Sequence, residues 1–433
     1  MASSPPLPAV LALADDLSGA AEVARALGGP VRLCLTTPTG GAAAGAHDLV
    51  VDLNTRHLPP ADAADAVRSA LGSGRSGAPG AAGPGALVFG GPDAYGLLYK
   101  KIDSQLRGNV AAEAVAYAEG AEALVVAPAL PAARRTVTGG VVHVDGVPLH
   151  ETNGWRAERA TPPRSVAEAF SGLPVRTIPL EVVRSGLPHL EAELKSVVAS
   201  GAHPAPDAET DADLDAIVAA ALRLGPGLRL LGSGGLAGAL GRALARPAVP
   251  APAPQPARAA TPLLVVAGTA EPGVVRQIAH LTALGMRHLP IAPAELMAGA
   301  VEVRAGAVEV RAGAVEVRAG DAPVDTVLSI DGSAGLHPGG GRALSAALAA
   351  LTTAWPGRPD LVLTGGETAR ATLDALGVRE LEPVDEIHHG AVHSRTPDGR
   401  SVVTRPGSYG AEDSLLRIAT ALRPHLAATP AAG

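Results

Sequence analysis

Short apolar runs, each ending at a polar or glycine-bearing turn, recur along the whole chain. The first, Pro8 to Ala14, stops at Asp15-Asp16, and a helical pattern follows from Gly19 to Leu27. Val31 to Thr36 and Leu49 to Leu53 are two more such runs, and Leu124 to Ala127 ends at Pro128. Strand, helix, strand at this spacing predicts an α/β unit. Val141 to Val144 followed by Asp145-Gly146 predicts a hairpin. Later the rhythm resumes with Leu263 to Ala267, a helix from about Pro272, and strands at Val324 to Ile330, Leu361 to Thr364 and Ser401 to Thr404. All of these later strands except Val324 to Ile330 run directly into a Gly-containing loop. In open α/β sheets, ligands sit where strand carboxyl ends meet such loops.

Two segments interrupt the pattern. Arg246 to Pro262 alternates Pro and Ala and predicts an extended, semi-rigid linker. It divides the chain into residues 1–245, a linker at 246–262 and residues 263–433, in keeping with two or three domains at roughly 150 residues each. Ala298 to Arg318 is Ala-Gly-Ala-Val-Glu-Val-Arg three times over. Its apolar positions step by three and four as in a coiled coil, but each heptad contains a helix-weakening Gly. Val-Glu-Val-Arg also alternates like a strand. The repeat reads as a tolerated surface expansion, as does the Gly/Ala/Pro-rich stretch Ser73 to Gly85.

Composition sharpens the fold class. Only eight residues are aromatic (Trp 2, Tyr 4, Phe 2), so the cores must be built from small aliphatic side chains. Such cores suit parallel sheets sandwiched by helices. The net charge of −7 and the scattered Lys and Arg argue against nucleic-acid binding. Cys34 is the single cysteine, which excludes an intrachain disulfide and a multi-Cys metal site and leaves a small buried hydrophobe. Without a basic-led leader or an uninterrupted apolar stretch of ~18 residues, the expectation is a cytoplasmic protein with no membrane partner.

Four groups of residues carry candidate chemistry. Asp15 and Asp16 sit where a strand gives way to a helix. Adjacent carboxylates there cannot both enter the core, so one faces the cleft, to accept a substrate hydroxyl or its proton, and the other caps the helix. The plainer reading is that both only cap and solubilise the turn. Tyr99 to Asn109 packs two lysines, Asp103, Arg107 and Asn109 into one strand–turn–helix stretch. That density suits an anionic, hydroxyl-rich ligand, with Arg107 as a bidentate clamp and Lys101 as a point charge; a solvated charge run is the alternative. Pro128 to Pro131 makes a stiff loop before Arg135, a second candidate anion ligand. Finally, Gly268-Thr269, Gly365-Gly366-Glu367-Thr368 and Gly407-Ser408-Tyr409-Gly410 each follow a predicted strand. Glycines there let backbone N–H groups approach phosphates, helix N-termini favour negative charge, and Thr368 and Ser408 add hydroxyls. Each loop alone reads as a turn; three together point to a nucleotide. The chain lacks a Walker-type Gly-x-x-x-x-Gly-Lys-Ser/Thr. Gly232-Ser233-Gly234-Gly235 loosely fits a dinucleotide fingerprint but lacks its downstream acid. His388, His389 and His393 read as a surface turn without metal-ligand spacing.

These motifs resemble a known family. Lys100-Lys101-Ile102-Asp103-Ser104-Gln105-Leu106-Arg107-Gly108-Asn109 resembles the signature Lys-Lys-Ile-Asp-Ser-Thr-Leu-Arg-Gly-Asn of the four-carbon acid sugar kinases, which include bacterial erythronate, threonate and 3-oxo-tetronate kinases. Ala14-Asp15-Asp16-Leu17-Ser18-Gly19-Ala20 resembles its Ala-Asp-Asp-Leu-Thr-Gly-Ala, and the later Gly loops resemble its other blocks. The resemblance implies two α/β domains with largely parallel sheets facing an interdomain cleft, the N-terminal one for the sugar acid and the C-terminal one for ATP. By matching positions it places Asp15, Asp16, Lys101, Asp103, Arg107 and Arg135 around the acid. Gly268, Thr269, Gly365, Gly366, Glu367, Thr368, Gly407 and Gly410 would lie around the nucleotide with Mg²⁺. Asp16 is the first candidate for the base and Asp103 the second. Ser18 for Thr, Gln105 for Thr, Arg134 for Gly, Arg405 for Lys and Tyr409 for Phe are departures from the family pattern, and Arg156 to Pro163 lacks an expected Asp. The competing readings are a sugar-acid oxidoreductase or isomerase and a non-catalytic sugar-acid or nucleotide sensor. Oligomeric state and metal ligands stay open.

Overall fold

The computed structural model describes residues 8–36, 47–72, 95–155, 158, 160–246, 261–269, 272–297, 301–304, 307–310, 324–331, 341–407 and 410–428. The chain separates into two compact units, Met1–Val249 and Pro250–Gly433. Residues 247–260 of the expected linker, the Ser73 to Gly85 stretch, Ser408-Tyr409 and part of the Arg156 to Pro163 block lie outside the described residues. Arg246 itself is held to the first unit: Nη1 lies 2.6 Å from Asp48 Oδ2, and Nη2 donates to the Pro8 carbonyl.

The first unit begins with β1 (Val10–Ala14), α1 (Leu17–Leu27), β2 (Val31–Cys34), β3 (Asp48–Asp52) and α2 (Pro60–Ala70). It continues with β4 (Leu97–Lys101), α3 (Val110–Ala118) and β5 (Ala123–Ala127), then a small antiparallel sheet of β6 (Arg135–Thr138), β7 (Val141–Val144) and β8 (Val147–Pro148). The expected Asp145-Gly146 turn joins β7 to β8 with positive φ at both residues, the geometry that matches strand twist in a two-residue hairpin. After α4 (Val166–Ala169) come β9 (Val175–Ile178), α5 (Leu180–Val183), α6 (Leu187–Ala199), β10 (His203–Pro206), α7 (Asp211–Leu224), β11 (Leu228–Gly232) and α8 (Gly234–Leu244). The main sheet runs β2-β3-β1-β4-β11-β5, all parallel. Its inner strands β1 and β3 are buried at every residue, as expected where helices cover both faces. The connections go to one side of β1 for β2 and β3 and to the other side for β4, β5 and β11. The carboxyl ends of β1 and β4 therefore flank a topological switch point, where such sheets open a ligand crevice.

The second unit contains β12 (Leu263–Ala267), α9 (Pro272–Ala283), β13 (Arg287–Ile291), α10 (Pro293–Met297), β14 (Val301–Arg304), β15 (Ala307–Val310), β16 (Thr326–Ile330), α11 (Gly341–Ala354), β17 (Asp360–Thr364), α12 (Gly366–Ala375), β18 (Glu380–His388), β19 (Ala391–Arg395), β20 (Ser401–Arg405) and α13 (Ser414–Leu422). Strands β13-β16-β12-β17-β20 are parallel, and β19 and β18 extend the sheet antiparallel. Leu263, Val265, Val327, Val362 and Val403 from the sheet pack against Ile278, Leu281, Leu415 and Ile418 from α9 and α13. In the heptad segment, β14 and β15 pair antiparallel, so the period-two alternation prevails there over the coiled-coil spacing.

Candidate functional site

The first unit gathers its charged residues at the carboxyl ends of β3, β1 and β4. Asp16 is the N-cap of α1: its Oδ1 accepts from the Gly19 N–H at 2.8 Å, the bond that a capping Asp is expected to make. Asp15 is buried. Both bind Arg56, which arrives from the loop after β3. Arg56 Nε donates to Asp15 Oδ2 at 2.9 Å, its Nη1 lies 2.7 Å from Asp16 Oδ2, and its Nη2 lies 3.7 Å from Asp103 Oδ1. The loop is fixed by Asn109, whose side-chain amide donates to the carbonyls of Thr55 and Leu58. Gly108, at φ +85°, leaves room for Arg56: a Cβ there would lie 3.2 Å from Arg56 Cγ. Arg56 was not singled out from the sequence. An arginine immediately after the third strand, at the same sheet edge as Asp15, is the signal available for it.

The consecutive lysines of the signature separate because neighbouring strand residues face opposite sides of a sheet. Lys100 turns into the core and pairs with buried Glu113 at 2.7 Å, a structural ion pair. Lys101 turns toward α1, its Nζ 3.5 Å from Glu22. Burial works against its charge, but Glu22, Asp15 and Asp16 outweigh that and hold its pKa above the ordinary value. A Cβ on Gly19 would lie 2.8 Å from Lys101 Nζ and 2.9 Å from Asp16 Oδ1. Gly19→Ala gains helix propensity of about 1 kcal/mol yet must displace this lysine. We expect an unchanged or raised Tm with a sugar-acid KM raised about tenfold, read by thermal melts and steady-state kinetics.

Asp103 and Arg107 form a closed pair. Arg107 donates through Nε and Nη2 to the two oxygens of Asp103, each at 2.8 Å, and the Gln105 and Arg107 backbone N–H groups add to Asp103 Oδ2. Burial raises the Asp103 pKa, but Arg107, Arg56 and Arg135 overcome this and hold the carboxyl far below its usual range. Such an acid is a weak proton acceptor, so its placement suits orienting Arg107 more than serving as a base. Arg135, at the start of β6, donates to the Ser104 hydroxyl, and Trp155 Nε1 donates to the Gln105 carbonyl at 2.9 Å. The structure therefore brings together Asp15, Asp16, Lys101, Asp103, Arg107 and Arg135, and adds Arg56 and Glu22. For Asp15, burial pushes the carboxyl up, and Arg56, Lys100 and Lys101 more than reverse it, leaving the pKa lowered. Its Oδ1 is buried with no hydrogen-bond partner among the described residues, an acceptor left for a ligand hydroxyl.

The Gly232–Gly235 turn, which loosely fits a dinucleotide fingerprint, serves packing. Ser233 caps α8 by accepting from the Gly235 N–H at 3.0 Å. A Cβ on Gly234 would collide with the Glu22 carboxylate, so this glycine seats the acid that faces Lys101.

In the second unit, three of the glycine turns converge. Gly365 donates its N–H to the Arg405 carbonyl at 2.9 Å, and the Gly268 N–H approaches the Thr364 carbonyl at 3.4 Å. Any Cβ on Gly407 would lie 3.5 Å from Gly365 Cα and 3.5 Å from Thr269 Cγ2. Gly365 is the N-cap of α12 with φ +98° and no side-chain cap, which leaves first-turn N–H groups for an anion. Gly366 opens the helix, and Gly410 (φ +107°) packs over Ser414. Thr368 departs from the sequence reading: its hydroxyl is buried against Gly268 and bonds Ser345 at 3.2 Å. It spaces two turns. The Glu367 side chain is about one-third exposed, 4.0 Å from Arg342 Nε. His388 and His393 are strand residues bonded to Ser414 and Ser401, not members of a surface turn. Among the described residues, no group of three or more His, Cys, Asp or Glu is placed to hold a metal ion. No described helix is long and apolar enough to cross a membrane. A Cβ on Gly268 would overlap the Thr368 hydroxyl, so Gly268→Ala should raise the ATP KM about tenfold or more and leave the sugar-acid KM within about twofold, given the cost of forcing atoms into a packed site.

Residues 10–240 match the family model described as a sugar-binding N-terminal domain, and residues 264–415 match a nucleotide-binding C-terminal domain. A D-threonate kinase of Cupriavidus necator is 36% identical over 425 residues, covering 94% of this chain and 96% of the relative. A D-threonate kinase of Bordetella bronchiseptica is 32% identical, covering 95% and 96%. A 3-oxo-tetronate kinase of Methylobacterium radiotolerans is 29% identical, covering 93% and 96%. Solved structures share the fold: one from Salmonella typhimurium LT2 has a TM-score of 0.70 at 22% identity, covering 94% of this chain and 98% of its own. One from Haemophilus influenzae has a TM-score of 0.63 at 16% identity, with the same coverage.

Proposed function

This chain belongs to the four-carbon acid sugar kinase family, and on that premise we propose that it transfers the γ-phosphoryl group of ATP to the terminal hydroxyl of a four-carbon sugar acid. The first unit takes the acid and the second takes the nucleotide. The observation that carries this reading is the cluster at the ends of β1, β3 and β4. It sets Arg56, Lys101, Arg107 and Arg135 among Asp15, Asp16, Asp103 and Glu22. A pocket with cations and carboxylates interleaved suits a molecule that is a carboxylate at one end and hydroxyls along its length. A purely cationic pocket would suit a phosphate better.

Phosphoryl transfer needs position and charge neutralisation more than covalent help. Arg107, its plane fixed by Asp103, and Lys101 grip the substrate carboxylate. Asp15 Oδ1 accepts from a substrate hydroxyl. Asp16, whose side chain is the most exposed of the three aspartates, accepts the proton of the attacking hydroxyl, while Arg56 keeps it oriented. The glycine turns around Gly268, Gly365 and Gly407 cradle the phosphates with backbone N–H groups and the N-terminus of α12. Mg²⁺ is usually held by one or two carboxylates together with substrate phosphates. Glu367, on the first turn of α12 and partly exposed, fits that role, and the ion would supply charge neutralisation on the phosphates.

D-Threonate is the first substrate to test, because two relatives above 30% identity that cover nearly the whole chain are named for it. ADP release measured across the stereoisomers of threonate and erythronate and their 3-oxo analogues should show turnover with one or two acids. Reduction of a nicotinamide cofactor with the same acids, and no ADP, would favour the oxidoreductase instead.

A further inference from the structure

Arg405, the last residue of β20, carries a guanidinium that is 1% exposed. Its partners are all neutral. Nη1 donates to Gln277 Oε1 at 2.8 Å and to Ser414 Oγ at 2.6 Å, and Nη2 points to the Gly407 carbonyl at 3.4 Å. Nε has no partner. Ser414 continues to His388 Nε2 at 2.9 Å, whose Nδ1 donates to the His389 carbonyl. The other buried arginines of this unit are matched by acids, Arg370 by Asp374 and Arg423 by Asp360; Arg405 has no carboxylate among the described residues. Burial alone pushes its pKa down, to about 10, so it stays charged at neutral pH. A buried charge left without a counter-ion is costly, and its retention needs an anion supplied from elsewhere.

The position names the anion. The Arg405 carbonyl accepts from Gly365 N, its Nη2 faces the Gly407 carbonyl, and a Cβ on Gly410 would lie 3.4 Å from its Nη1. Gln277, which it holds, donates to the Ala411 carbonyl at 2.9 Å. The charge thus sits directly behind the turns proposed to hold ATP. We infer that Arg405 is a positioning residue for the nucleotide: it touches no phosphate, but it places a fixed positive charge beneath the glycine turns, and the polyphosphate is the counter-ion it lacks. This rests on the nucleotide reading above.

The test is calorimetric binding of MgADP to the full chain, with the two KM values measured beside it. Arg405→Gln keeps hydrogen-bond donors and removes the charge; Arg405→Lys keeps the charge. We expect Arg405→Gln to weaken MgADP and raise the ATP KM by about ten- to a hundredfold, the range of a charge-assisted interaction. The sugar-acid KM should stay within about twofold, and Arg405→Lys should stay within about threefold for both ligands, a rescue that follows if charge matters more than shape. Equal losses in Arg405→Gln and Arg405→Lys, or unchanged MgADP binding in Arg405→Gln, overturn the inference. Should Arg405→Gln not fold, Gln277→Leu decides, since it cuts a tether and keeps the charge. Binding held within about threefold supports the inference, and a loss of about tenfold overturns it. If the wild-type chain binds no adenine nucleotide, the nucleotide reading itself fails, a result distinct from any of these.

Discussion

Arg56→Ala is expected to remove at least about 10² of kcat/KM for the sugar acid and to destabilise the first unit by about 3–5 kcal/mol at pH 7, the cost of stranding buried acids without their cation. The activity loss follows from geometry: among the described residues, Arg56 is the one side chain that touches Asp15 and Asp16 and also approaches Asp103. Without it, the acceptor and the proposed base lose their orientation together. The stability loss carries a pH signature. In the wild type, Asp15 and Asp103 have folded pKa values below their ordinary ones. Their contribution is therefore present above about pH 4 and is lost as pH falls through the folded values. In Arg56→Ala the largest influence holding the Asp15 pKa down is gone, so the carboxyl protonates sooner as pH drops. The stability gap between variant and wild type should be widest near pH 7 and narrow toward pH 4.5. Urea unfolding at several pH values, read with sugar-acid kinetics at pH 7, checks both parts. A gap independent of pH would mean that the acids are not what Arg56 compensates.

Asp16→Asn should lower kcat by about 10²–10⁴, the usual worth of a general base, with Tm nearly unchanged. Asn is as good an N-cap as Asp, so the bond to the Gly19 N–H survives and α1 keeps its start. The amide cannot take a proton, and its pairing with Arg56 weakens. Asp103→Asn offers the contrast: Asp103 is filled by Arg107 and by two backbone N–H groups, so its loss should act through Arg107 and raise the sugar-acid KM more than it lowers kcat. Near wild-type kcat in Asp16→Asn would remove it from the role of base.

Much of this site is legible in the sequence because its parts are consecutive. Asp15-Asp16 and the run from Lys101 to Arg107 each lie at one strand end, and an apolar run stopping at charges reveals such an edge. The split between Lys100 and Lys101 emerged only with the structure, where neighbouring strand residues face opposite sides of the sheet and one of the two faces α1. The paired glycine turns of the second unit were legible for the same reason, one strand end at a time. Arg56 and Glu22 were not, because they join the cluster only through the parallel register of β3 beside β1 and the packing of α1 beside α8. Neither adjacency has a local signal. The packing of Thr368 was hidden for a related reason: it lies on the first turn of α12, and Gly268, lacking a side chain, lets its hydroxyl turn inward. The environment of Arg405 lay furthest from view, since Gln277, Ser414 and His388 come from three other elements.

The central claim is that a sugar acid receives the phosphoryl group that ATP loses. Phosphorus NMR of the full chain with MgATP and D-threonate, or with whichever four-carbon acid releases ADP, tests this directly. One new phosphomonoester resonance should grow in step with ADP, coupled to the protons of the terminal carbon. ADP accompanied only by inorganic phosphate, or no change with any acid of the panel, would contradict it.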